Sequence, residues 1–119
     1  MNNPEPAVDI SERDGTFVVA VREPRVLEDQ LEAMRRDVLE LVEKTNKPRI
    51  LFDFSGVEMI CSTIIGLLIE MHRLVGAKQG EVLLANLNTN VKEVLAITRV
   101  DTLLEIHDDI ENALNDQTN

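Results

Sequence analysis

Arg49-Ile50-Leu51-Phe52-Asp53-Phe54-Ser55-Gly56, continuing through Val57-Glu58-Met59-Ile60-Cys61 into Ser62-Thr63-Ile64-Ile65-Gly66-Leu67-Leu68, sets the architecture of this chain. Its first part, residues 49–54, is mostly apolar, as expected of an interior strand covered on both faces, with Asp53 as the odd member. Ser55-Gly56 supplies a turn. A helix is expected to begin near Ser62, because Ile64, Leu67, Leu68, Met71 and Val75 stand at i, i+3, i+4, i+7 and i+11, with Ile65 and Ile69 widening the apolar surface. Gly76 to Gly80 closes that helix, and Val82-Leu83-Leu84-Ala85 reads as a second buried strand. Strand, helix and strand in this order predict a right-handed βαβ crossover and a parallel sheet.

Upstream, Ala7 to Ser11 and Thr16 to Val21 are short runs rich in Val, Ile, Thr and Phe, separated by Glu12-Arg13-Asp14-Gly15. Asp-Gly supplies the positive φ of a tight turn, so the chain is expected to open with an antiparallel hairpin at the sheet edge. Pro24 ends that pattern, and Leu27, Leu31, Met34, Val38 and Leu41 then recur at helical spacing. The opposite face carries charges that include Arg35 and the i,i+4 pairs Glu32/Arg36 and Glu40/Lys44, so it reads as solvated. Asn46-Lys47-Pro48 stops this helix. Downstream, Asn88 is placed to cap a short helix bearing Val91, Val94 and Leu95, Leu103 to Ile106 reads as the last strand, and Ile110, Ala113 and Leu114 mark a final amphipathic turn or two. The expected fold class is α/β, a mostly parallel central sheet with an antiparallel N-terminal edge strand and helices packed against it.

Length and charge narrow the function. The 119 residues hold 12 Lys+Arg against 22 Asp+Glu, a net charge of −10, with 44% hydrophobic residues. This describes one acidic domain over residues 1–119, its core about 7–114, with residues 115–119 as a polar tail. So negative a chain repels nucleic acid and anionic lipid heads, and Met59 to Ile69 is well short of the roughly 20 residues of a membrane helix. The start, Met1-Asn2-Asn3-Pro4-Glu5-Pro6, lacks signal-peptide features, and Cys61 alone forms no internal disulfide. A cytoplasmic protein with neither nucleic acid nor membrane insertion is expected.

Motifs for catalysis are missing. Gly76-Ala77-Lys78-Gln79-Gly80 lacks the spacing and the ending of a phosphate loop. His72 and His107 lie in different elements with no His or Cys at ligand spacing, and Asp108-Asp109 reads as a helix start, so neither metal nor cofactor is expected. Ser62 and His72 are ten positions apart on one helix, about 15 Å of rise, and cannot form a nucleophile–base pair. Cys61 reads as a packed residue, since free cysteine is commonly buried. Ser62 itself reads first as an N-cap worth about 1 kcal/mol. The same position is exposed, and the unpaired amides around it favour an anion such as a phosphoryl group.

The central segment resembles the STAS domain family, the anti-sigma factor antagonists and their relatives, whose pattern runs roughly Asp-Leu-Ser-Gly-Val-x-x-Ile-Asp-Ser-Ser/Thr-Gly-Leu-Gly-x-Leu. The likeness continues through Gly80 to Leu87, Val91 to Leu95 and Val100 to Leu104. The resemblance implies a non-enzymatic regulator that binds a partner serine kinase acting as an anti-sigma factor. It implies phosphorylation of Ser62, with Thr63 as second candidate, release of the partner on phosphorylation, and reversal by a serine phosphatase. Ser55, Glu58, Met59, Ser62, Thr63 and Ile65 would form the docking surface. A constitutive STAS scaffold, in a signalling assembly or beside a lipid transporter, is the alternative. This chain departs from the pattern in having Cys61 for Asp, Ile64 for Gly, Glu23-Pro24-Arg25-Val26 after the second strand for Gly-x-Leu-Asp, and Arg99 for the Gly after the third helix.

Overall fold

The computed structural model describes residues 8–22 and 28–115, so Leu27 and the Glu23–Val26 segment fall outside it. Chain order is β1 (Val8–Arg13), β2 (Thr16–Val21), α1 (Glu28–Lys44), β3 (Arg49–Asp53), α2 (Ser62–Ala77), β4 (Glu81–Ala85), α3 (Thr89–Ile97), a 3-10 turn at Val100–Thr102, β5 (Glu105–His107) and α4 (Ile110–Asn115). The five strands lie side by side in sequence order. β1 and β2 are antiparallel and joined by Asp14 and Gly15, both at positive φ (52° and 84°), the backbone a two-residue turn needs. From β2 to β5 all pairs are parallel. The antiparallel edge strand and the parallel sheet are therefore as expected, making this a single α/β domain.

A sheet whose strands follow sequence order, with crossovers of one hand, carries its crossover helices on one face. Accordingly Ile50 and Phe52 of β3 join the same apolar cluster as Met34 and Val38 of α1, Leu68, Met71 and Val75 of α2, and Val91 and Leu95 of α3. Leu51 points the other way, into a smaller cluster with Val18, Leu83, Ala113 and Leu114, where α4 is the cover. Both faces of β3 are thus sealed, as its apolar run requires. Its polar first residue, Arg49, lies along the sheet end, with Nε donating to Glu81 (2.6 Å), Nη1 to Thr16 (3.0 Å) and Nη2 to the Ala113 carbonyl (3.2 Å). Gly80 is confined by packing, since a Cβ there would sit 1.9 Å from the Pro48 carbonyl oxygen.

Several local expectations are corrected. β1 runs on to Arg13 rather than stopping at Ser11, because hairpin pairing holds right up to the turn. Val42 is buried whereas Leu41 is only partly covered, so the stripe of α1 drifts by one position near its end. The charged face of α1 is not purely solvated: Arg35 reaches across to Glu70 of α2, and Arg36 lies 3.9 Å from Asp37. The last strand is Glu105–His107, starting two residues later and ending one residue later than the apolar run suggests, because Val100–Thr102 form a 3-10 turn that buries Val100. Asn88 caps α3 as expected, its side chain accepting from the Val91 N–H at 2.8 Å, and Asp109 does the same for Asn112 at the start of α4.

Arg99 follows the α3 C-cap Thr98 in the left-handed region, at φ 66°. This is the geometry a glycine would satisfy without strain. Arg99→Gly is expected to raise the unfolding free energy by about 0.5–1 kcal/mol, the left-handed penalty less the chain entropy of the added glycine, seen as a higher urea midpoint.

Candidate functional site

At the carboxyl end of β3 the chain leaves the sheet through Asp53, which is buried although acidic. Its Oδ1 accepts from the Ser55 N–H at 3.0 Å and from Asn86 Nδ2 at 2.8 Å, while the Phe54 N–H donates to the Ala85 carbonyl at 3.0 Å. A buried carboxylate so placed turns the backbone at Ser55 and ties it to the β4–α3 loop. Gly56 then presses on the end of β2, where an added Cβ would meet the Val21 carbonyl oxygen at 2.9 Å and that of Arg22 at 3.2 Å. The Ser-Gly pair is explained by this close approach.

Val57 and Ile60 drop into the core, and the two residues between them, Glu58 and Met59, project outward, Met59 being 50% exposed. Cys61 ends the loop in extended geometry (φ −106°, ψ 173°) as the N-cap of α2, with its carbonyl accepting from the Ile64 and Ile65 N–H groups at 3.1 and 3.2 Å. Ser62 is therefore the first helical residue and not the cap expected of it. Having Cys61 at the cap leaves the exposed Ser62 hydroxyl outside the capping geometry. Cys61 is likewise exposed rather than packed, because the cap position lies at the rim of the helix. Ile64 is buried, so this departure from the family pattern adds volume to the core and no bulk to the surface.

The residues anticipated from the sequence come together at one end of the sheet. Ser55, Glu58, Met59, Ser62 and Thr63 are exposed, and half-buried Ile65 continues toward Ile69, which is 42% exposed. Three contributors escaped the sequence reading. Asn86 and Asn88 fasten the loop from the β4 side, and the bidentate pair Arg35–Glu70 (2.8 and 2.7 Å) closes α1 onto α2. Beside that pair runs a shallow groove of about 280 Å³ that reaches Thr63, Gly66 and Leu67. Asn88 carried a cap signal but none for a second role, and the Arg35–Glu70 pair spans 35 positions with no local periodicity to reveal it.

Two titrations are set by this geometry. The Thr63 hydroxyl lies 3.4 Å from Cys61 Sγ, and together with the Ile64 amide it holds the thiol below its usual range against a smaller opposing effect of burial. Thr63→Val is expected to slow alkylation of Cys61 at neutral pH by about twofold or more, measured as the rate with a chromogenic thiol reagent. Hydrogen bonding from Arg35 holds the Glu70 carboxyl below the ordinary carboxylate range, with partial desolvation opposing and the charges of Arg35 and Arg73 assisting. A carboxyl depressed on folding stabilises above its unfolded pKa and loses that contribution as pH falls through the folded one. Wild type should accordingly lose more thermal stability than Glu70→Gln on going from about pH 7 to about pH 3, with the difference modest because both side chains are partly exposed.

The STAS domain family matches the sequence over residues 7–113. No curated protein matches it. Among solved structures, an anti-sigma-factor antagonist (STAS) domain protein from Planctomyces limnophilus is similar at 21% identity and TM-score 0.85, over 94% of this chain and 98% of that one. The anti-sigma factor antagonist SpoIIAA in its unphosphorylated form is similar at 18% identity and TM-score 0.78, over 93% and 95% of the two chains. A component of the stressosome, described as a signal integration and transduction hub, is similar at 18% identity and TM-score 0.70, over 90% and 93%. At such identities the likeness to these structures is one of fold, while the match along the sequence itself places this chain in the STAS domain family.

Proposed function

We propose that this chain is a non-enzymatic, cytoplasmic regulator of the anti-sigma factor antagonist type. It docks on a serine kinase that serves as an anti-sigma factor, and phosphorylation of Ser62 releases it until a serine phosphatase restores the free hydroxyl. The observation that carries this reading is the exposed Ser62 hydroxyl at the first position of α2, outside the cap geometry, with Ser55, Glu58, Met59, Thr63 and Ile65 around it. Exposed Met59 and Ile69 supply the apolar contact area that a protein partner desolvates. A phosphoryl group at Ser62 adds about −1.5 to −2 charge and three hydrated oxygens there. The start of α2 tolerates that charge, because a helix N-terminus carries partial positive charge, so the fold survives and the contact is what breaks. Glu58, already anionic and exposed, reinforces the repulsion.

A constitutive scaffold is the second reading, favoured by Cys61 standing where the family pattern has Asp. Incubation with the partner kinase and ATP, followed by mass spectrometry, separates the two. Label is expected on Ser62 and absent from Ser62→Ala, with Ser62→Asp weakening the complex by about tenfold or more. Stoichiometric label on a different residue, or a complex indifferent to Ser62→Asp, would overturn the switching role and leave the scaffold.

A further inference from the structure

Between Val57 and Cys61 the loop that presents Glu58 and Met59 has little backbone support. The described backbone hydrogen bonds of the loop are Phe54 N–H to Ala85 and Val57 N–H to Phe54 at its beginning, and Ile64 and Ile65 N–H to the Cys61 carbonyl at its end, with Glu58, Met59 and Ile60 taking part in none of them. What orients the Val57 and Glu58 carbonyls is the amide of Asn88, which donates Nδ2 to both, at 3.3 and 3.0 Å. The same side chain uses its Oδ1 to cap α3 through the Val91 N–H at 2.8 Å. Capping alone is served by Ser, Thr, Asp or Asn. Donating twice while accepting once is within reach of an amide only, and among residues short enough to cap that means Asn. Asn88 itself is exposed, so these bonds form in competition with water and not by default of burial.

We infer that Asn88 is a positioning residue for the docking surface: it locks the Val57–Cys61 segment to the first turn of α3, so that Glu58, Met59 and Ser62 are presented in one geometry. The inference rests on the Ser62 surface being the docking site, but the lock itself is independent of any partner. Two variants divide the two roles of the side chain. Asn88→Asp keeps a cap acceptor for α3 and removes both donors to the loop, with an added charge, while Asn88→Ser keeps an uncharged cap acceptor but has a single, shorter hydroxyl donor that cannot serve both loop carbonyls as the amide does.

Amide hydrogen exchange followed by NMR reads the lock directly. In both variants the Val57 N–H, bonded to Phe54 at 2.9 Å, is expected to exchange about tenfold faster or more, with the interior amides of α3 within about twofold of wild type. Phosphorylation by the kinase should then show a raised KM, about fivefold or more, with little change in kcat. Unchanged Val57 exchange, or α3 amides accelerating as much as Val57, would overturn the inference and reduce Asn88 to a helix cap. Should wild type take no label on Ser62 at all, the functional reading fails, while the exchange data still decide the lock.

Discussion

Ile50, Leu51 and Phe52 are all fully sealed, the first and third against α1, α2 and α3 and the second against α4. A strand sealed this way needs a neighbour on each edge and a helix on each face, and the remaining elements are arranged to provide them. β2 and β4 pair with it in parallel, α1 and α2 complete the crossovers, and the short C-terminal helix covers the face the crossovers leave bare. Its polar ends are managed separately. Arg49 is held by three partners at one end of the strand, and Asp53 is satisfied by two donors at the other.

That second end carries the proposed docking surface, and the topology explains its shape. In parallel sheets a ligand crevice opens outside the carboxyl ends of strands where the strand order reverses. Here the order runs straight from β1 to β5. The loops after β3 and β4 close against each other through Asp53, Asn86 and Asn88, so they present an outward surface with exposed side chains. Such a surface suits a protein partner better than a small molecule, in keeping with a reading based on docking.

Departures from the family pattern take on different meanings once placed in three dimensions. Ile64 is absorbed by the core, Arg99 occupies a glycine-like backbone position, and Cys61 takes the cap of α2, leaving the neighbouring hydroxyl uncommitted to that cap. The first strengthens packing, the second strains one residue, and the third alters the chemistry beside Ser62. The segment Glu23–Val26 lies outside the described residues.

Periodicity and turn chemistry were enough to read the hairpin, the buried β3 and β4, the stripes of α1 and α2 and the cap at Asn88, because each depends on residues close in the chain. The family resemblance, carried by the Asp53–Leu68 segment, was legible for the same reason. What escaped were contacts between distant positions: Arg35 with Glu70, Asn86 with Asp53, Asn88 with Val57 and Glu58. A one-residue shift of the α2 cap from Ser62 to Cys61 also escaped, since either residue can occupy an extended cap position and only the packing of Ile60 and Ile64 chooses between them. The sequence by itself determined which strands and α-helices exist and in what order, but not the 3-10 turn at Val100–Thr102. Tertiary structure alone decided which polar groups meet across the top of the sheet, because the partners there stand 30 to 33 positions apart and are brought together only by the parallel pairing of β3 with β4.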